Sequence, residues 1–217
     1  MQTHSRLALL TLASGLAALC IQSSASAAAP DPATLRPAEY EIMAWSTDSS
    51  QFLVKVKDPN AGAMFQVWDT ETAQLAKKGA KALVFPSPSI DDEPKLLKKI
   101  KKQNAMDQDV VDTAVHPKKS DIMLMTAQKE DKFVIMGVRG DKASKYDTID
   151  VVKDKAGKVA KVNQKQLVWD HDGKNFILVY HVKLEGSDTP FEGDIIATYK
   201  FKPYKVKGGS GDEGGGE

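Results

Sequence analysis

Cysteine is nearly missing from this chain: Cys20 is the only one in 217 residues, so no disulfide can form within a molecule. A surplus of one charge sign is missing too. Lys+Arg total 30 against Asp+Glu 29, so no global field steers the molecule toward nucleic acid or anionic lipid, and a nucleic-acid partner is not expected. The longest apolar run, residues 7–21, falls short of the roughly 20 residues a helix needs to cross a bilayer. Aromatic residues make up only 7%, with three tryptophans. Against these absences stand 41% apolar and 27% charged residues, the composition of a globular chain rather than a disordered or fibrous one.

The first residues read as a targeting device. Arg6 precedes the apolar run 7–21, and Ser23-Ser24-Ala25-Ser26-Ala27 supplies small residues. This is the order of a secretory signal peptide, with cleavage expected after Ala27. Leu19 and Ala17 stand where exported bacterial lipoproteins usually carry a small residue and Leu, so lipid attachment at Cys20 is not expected. Removal of residues 1–27 takes away Arg6 and no acid, leaving 29 basic and 29 acidic residues and no cysteine. An exposed segment is expected at 28–38 and a single β-rich domain at 39–207. Residues 208–217, Gly-Gly-Ser-Gly-Asp-Glu-Gly-Gly-Gly-Glu, have nothing to bury and are expected to be a disordered acidic tail. The localisation implied is periplasmic or secreted.

From Tyr40 onward short β-prone stretches recur at 51–57, 64–69, 82–85, 122–126, 133–138, 148–152, 158–162, 176–182 and 195–202, separated by turn residues at 58–62, 128–131, 154–157, 170–173 and 185–193. That rhythm predicts antiparallel sheet. In 51–57, Phe52, Val54 and Val56 alternate with Lys55 and Lys57, and in 195–202 Ile195, Ala197, Tyr199 and Phe201 alternate with Thr198, Lys200 and Lys202; each predicts one wet face. Residues 133–136 and 176–180 are apolar on both faces and predict strands sandwiched within the fold. One helix is expected at 92–104: Asp91, Asp92 and Glu93 lead it, Pro94 lies in its first turn, lysines crowd its end, and Leu96, Leu97 and Ile100 form a narrow apolar stripe.

One phrase repeats. Trp45-Ser46-Thr47-Asp48-Ser49-Ser50-Gln51-Phe52 and Trp169-Asp170-His171-Asp172-Gly173-Lys174-Asn175-Phe176 align without a gap, and a weaker copy begins at His116-Pro117-Lys118-Lys119-Ser120. The pattern predicts an aromatic anchor, a tight turn and a returning apolar strand. The stretch from Trp45 to Phe52 and on to Val67-Trp68-Asp69, with Val168-Trp169-Asp170 repeating the Trp-Asp ending, resembles a blade of a WD-repeat or TolB-type β-propeller. Thr47 and Ser49 replace the Pro and Gly such turns carry, and the three starts are spaced unevenly for blades. The resemblance implies a scaffold that presents loops to a partner. The expected fold is mainly β, an antiparallel meander with propeller-like hairpin units and one surface helix, with a β-sandwich or open antiparallel sheet as the alternative.

For chemistry the sequence offers little. No Gly-x-Ser-x-Gly elbow, phosphate-cradling loop or cofactor motif is present. Asp170, His171 and Asp172 in one turn are a titratable cluster suited to a metal or to acid–base work; the same residues suit a plain tight turn. His181 reads as a hydrogen-bonded core residue, and Met123, Met125 and Met136 as core filler. Lys77, Lys78, Lys118 and Lys119 together with the helix lysines read as components of a basic patch or as solvated surface. The candidate binding residues are Trp45, Asp48, Trp169, Asp170, His171 and Asp172, with neither cofactor nor metal expected. The expected function is an exported, non-catalytic bacterial envelope protein that meets a protein or polysaccharide through its turns; the alternatives are a periplasmic metal-dependent hydrolase using 170–172 and a structural envelope protein.

Overall fold

The computed structural model describes residues 35–202 apart from 88, 90 and 189. The expected signal peptide and the acidic tail lie outside the described residues. The chain opens with a meander of β1 (Glu39–Trp45), β2 (Gln51–Asp58), β3 (Gly62–Asp69) and β4 (Gln74–Leu75), crosses a small ribbon of β5 (Lys77–Lys78) and β6 (Lys81–Ala82), and returns to β3 through β7 (Val84–Pro86). Helix α1 (Glu93–Gln103) and β8 (Val111–Asp112) follow. A second meander runs through β9 (Val115–His116), β10 (Lys119–Lys129), β11 (Lys132–Arg139) and β12 (Lys142–Asp150), and a third through β13 (Lys161–Trp169), β14 (Asn175–Leu184) and β15 (Phe191–Lys200), with β8 added beside β13. Every pairing is antiparallel.

The architecture is therefore mainly β, as the turn rhythm predicts. The three sheets do not stack in chain order: the third is the middle layer. One face of it, with Val168, Ile177, Val179 and Ile196, packs on Ile42, Trp45, Phe52 and Trp68 of the first sheet. Its other face, with Leu167, Trp169, Phe176, Leu178 and Tyr180, packs on Ile122, Leu124, Phe133 and Ile135 of the second. A strand between two apolar layers needs apolar residues at both parities, which is why 176–180 has no polar position. β15 lies in the same middle sheet, so Ile196 and Thr198 are buried along with Ile195, Ala197 and Tyr199; of the wet face expected of 195–202, Thr198 is covered and only Lys200 and Lys202, at the strand's end and beyond it, are exposed.

Residues 133–136 go the other way. Phe133 and Ile135 are buried, but Val134 and Met136 are only half-buried on an outer face that no sheet among the described residues covers. The methionines read as core filler all stand on that face: Met123 and Met136 half-buried and Met125 50% exposed. Outer-sheet strands of this kind differ from middle-sheet strands only in what packs on them, and their apolar outer residues hide the difference.

α1 covers the far side of the first sheet. Its start has Asp92 at the N-cap and Pro94 in the first turn, Lys101 and Lys102 close its last turn, and Ile100 is its one fully buried residue, set among Leu53, Phe65, Val67 and Met106. Glu93 is ion-paired with Lys55 of β2, which places that lysine beneath the helix rather than in open water. Of the segment expected to be exposed, Arg36 and Pro37 are exposed, whereas Ala38 is buried and Leu35 packs against the core between the second and third sheets.

Candidate functional site

The two copies of the repeated phrase build the same corner. In the first, Ser46 N donates to Gln51 O (2.9 Å), Ser49 N to Ser46 O (2.9 Å) and Gln51 N to Ser46 Oγ (2.9 Å). In the second, Asp170 N donates to Asn175 O (3.0 Å), Gly173 N to Asp170 O (3.0 Å) and Asn175 N to Asp170 Oδ2 (3.2 Å). Ser49 and Gly173 both take positive φ, 57° and 67°. Trp45 pairs with Phe52 and Trp169 with Phe176 across the corner, and the next strand contributes Trp68 or Tyr199 against the same Phe. The short side-chain acceptor at the first turn position closes the loop, Ser in one copy and Asp in the other.

The candidate residues part company here. Trp45 and Trp169 are wholly buried, one in each interlayer core, so they are strand-end anchors and share no rim. Asp170 is fully buried, with its oxygens taken by Lys174 N (2.8 Å), Asn175 N (3.2 Å) and Asn175 Nδ2 (2.8 Å). A metal at 170–172 would require it to give up those bonds. Among the described residues no three His, Cys, Asp or Glu side chains converge to hold an ion. His171 and Asp172 stand exposed at the tip, where Lys174 at 2.9 Å holds the Asp172 carboxyl below its ordinary value. Asp48 is exposed at the other corner, and the hydroxyls of Ser50 and Ser46 lower its pKa. Lys118 adds its charge beside Asp172; with Lys119 it belongs to the second sheet's first hairpin, whereas α1 lies on the far side of the first sheet, so the lysines do not form one patch.

Sequence reasoning missed what caps the second corner. His116, head of the third copy, is buried over Gly173, its ring centroid 4.9 Å from those of both Trp169 and Phe201. Its Nδ1 accepts from Lys118 N (3.0 Å). Burial, and then the Lys119 charge, holds its pKa below the ordinary 6.5. The folded chain thus binds fewer protons at this site than the unfolded chain, and stability is lost as pH falls below 6.5. The lowered carboxylates Asp48 and Asp172 act only below 3.8. We expect the urea midpoint to fall between about pH 7 and pH 5, and to fall less in His116→Phe, which keeps the ring contacts without the titration; an equal decline in both chains would contradict it.

A second polar centre also escaped the sequence. Asp194 of β15 is fully buried where the first and third sheets meet. Its Oδ2 accepts from Tyr40 N (2.8 Å) and Lys165 Nζ (2.6 Å), and its Oδ1 lies 2.9 Å from His181 Nδ1. Gln166 Oε1 accepts from Ile42 N (2.9 Å). Both amides belong to β1, the edge of its sheet, so side chains of the middle layer satisfy an edge that would otherwise invite another strand. His181 is hydrogen-bonded as expected but sits at the margin, its side chain 32% exposed, with Nε2 3.5 Å from Glu192 Oε1. The ring of His181 thus stands between two carboxylates, Asp194 on one nitrogen and Glu192 near the other. The adjacent groove, about 310 Å³, is lined by Glu39, Glu41, Lys55, Lys57 and Lys165. All three lysines are ion-paired, to Glu93, Glu39 and Asp194 respectively.

Comparison with known proteins brings no relative to bear: no family model, no curated protein and no solved structure matches the chain.

Proposed function

We propose that this protein is an exported, non-catalytic module of a bacterial cell envelope that meets a protein or polysaccharide partner through its turns. The observation that supports this reading most directly is the second corner. Its buried groups, Trp169, Asp170 and His116, are all engaged in holding the backbone, while the tip residues His171 and Asp172 face outward on that rigid base. Side chains carried on a backbone that is already fixed are suited to recognition, because little backbone conformational entropy is lost when a partner binds them. The likeness of the hairpin units to propeller blades, scaffolds that host many functions, points the same way without specifying a partner.

The test is retention of envelope components by immobilised mature chain, residues 28–217, beside the double variant His171→Ala/Asp172→Ala. Retention of a defined component that drops by about tenfold or more in the variant, with an unchanged urea midpoint, supports the proposal. Equal retention by both chains, or none by either, overturns it.

A further inference from the structure

The outer face of the second sheet carries three thioethers side by side. Ile122, Leu124, Phe133 and Ile135 point into the core, so alternation turns Met123, Met125 and Met136 outward. Met125 and Met136 are cross-strand partners, and Met123 lies opposite Val138, the next outward residue after Met136. Directly paired Cβ atoms lie about 4.5–5.5 Å apart and diagonal ones within about 8 Å. Unbranched side chains with three rotatable bonds can bring all three sulfurs to one point from those positions. Met125 is among the few large apolar side chains left exposed.

We propose that Met123, Met125 and Met136 form a binding site for a soft monovalent cation, Cu(I) in the cell, through three thioether sulfurs. Thioethers are neutral, soft ligands that select Cu(I) over the hard cations carboxylates prefer. The rungs bearing the sulfurs hold no acid; Val138 and Ala143 share one and Lys145 faces Met136 on the other. The Lys145 ammonium opposes any cation, and opposes a divalent one twice as strongly at equal distance, which adds to the preference for a single charge. The site needs no oxidant or reductant, since the ion is bound and not transformed. Binding would pin strands β10 and β11 together on a face that otherwise leaves apolar surface in water.

Silver(I), the redox-inert analogue, is the probe. The folded chain in chloride-free buffer is titrated with silver nitrate by calorimetry, and the methionine methyl carbons are followed by NMR. The expected result is one ion per mature chain, residues 28–217, with shifts in three of its six methionine methyls. Affinity should weaken by about tenfold or more in Met125→Leu and again in Met136→Leu, substitutions that conserve volume at a partly exposed face and leave the urea midpoint in place. Because a thioether does not titrate, affinity should stay constant from about pH 7.5 to 5.5, whereas a histidine site would weaken as the ring takes up a proton. No binding, binding unchanged in both leucine variants, or binding that declines with pH as a histidine does would each overturn the proposal.

Discussion

Asp194→Ala is expected to lower the unfolding free energy by about 3 kcal/mol. Breaking a buried ion pair by removing one partner typically costs about 3–5 kcal/mol because the remaining charge is stranded. Here the partners temper the loss: the side chains of Lys165 and His181 are 36% and 32% exposed and can turn to water, which argues for the lower end. The backbone amide of Tyr40 has less freedom. It donates to Asp194 Oδ2 at 2.8 Å inside the joint, and a buried donor left without an acceptor costs about 1–3 kcal/mol. Asp194→Asn, which keeps an acceptor of the same size and loses the charge, should cost about 1–2 kcal/mol. Urea unfolding measures both, and hydrogen exchange at the Tyr40 amide should quicken in the alanine variant. If Asp194→Ala unfolds within about 0.5 kcal/mol of the parent, the carboxylate does not join the first and third sheets.

Gly173→Ala should cost about 2–5 kcal/mol, for two separable reasons. A Cβ at φ 67° carries a left-handed penalty of about 1–2 kcal/mol, and it would sit 2.3 Å from His116 Cε1 and 2.7 Å from Nε2. The ring cannot swing aside freely, because Trp169 and Phe201 pack against it, and overpacking a closed site adds about 1–3 kcal/mol. Gly140→Ala supplies the control: φ is 60° there, with nothing within 4 Å of the added atom, so only the conformational penalty applies. Adding His116→Ala to Gly173→Ala should remove the contact share, making the double variant less destabilised than the two single effects added together. Strict additivity, or equal costs at Gly173 and Gly140, would show that the ring does not dictate the glycine.

That pair of corners also shows how far local reading carries. The alignment of 45–52 with 169–176 predicts a repeated turn, and the matching hydrogen bonds at Ser46 and Asp170 follow from a short acceptor two positions before each outward tip residue, Asp48 or Asp172. Ser49 takes a positive φ without being glycine, so the backbone conformation alone does not explain Gly173. The reason is His116, more than fifty residues away in the chain, and no local pattern reports an approach of that kind. Asp194 was hidden for a similar reason: in the sequence it is one more acid beside a strand, and only the burial of both faces of β15 makes its partners matter.

The residues alone determined the antiparallel meanders, because alternation and turn chemistry act over a few positions. They also determined the helix, whose leading acids, early proline and closing lysines match the dipole of Glu93–Gln103 within a residue or two of its expected bounds. Only the tertiary structure decided which sheet lies in the middle. An apolar residue at 177 and one at 136 look alike in sequence, yet Ile177 is buried against the first sheet while Met136 stays half-exposed on an outer face. Burial depends on what packs above a strand, and the order in which three sheets stack is set by the sum of their faces rather than by any one of them.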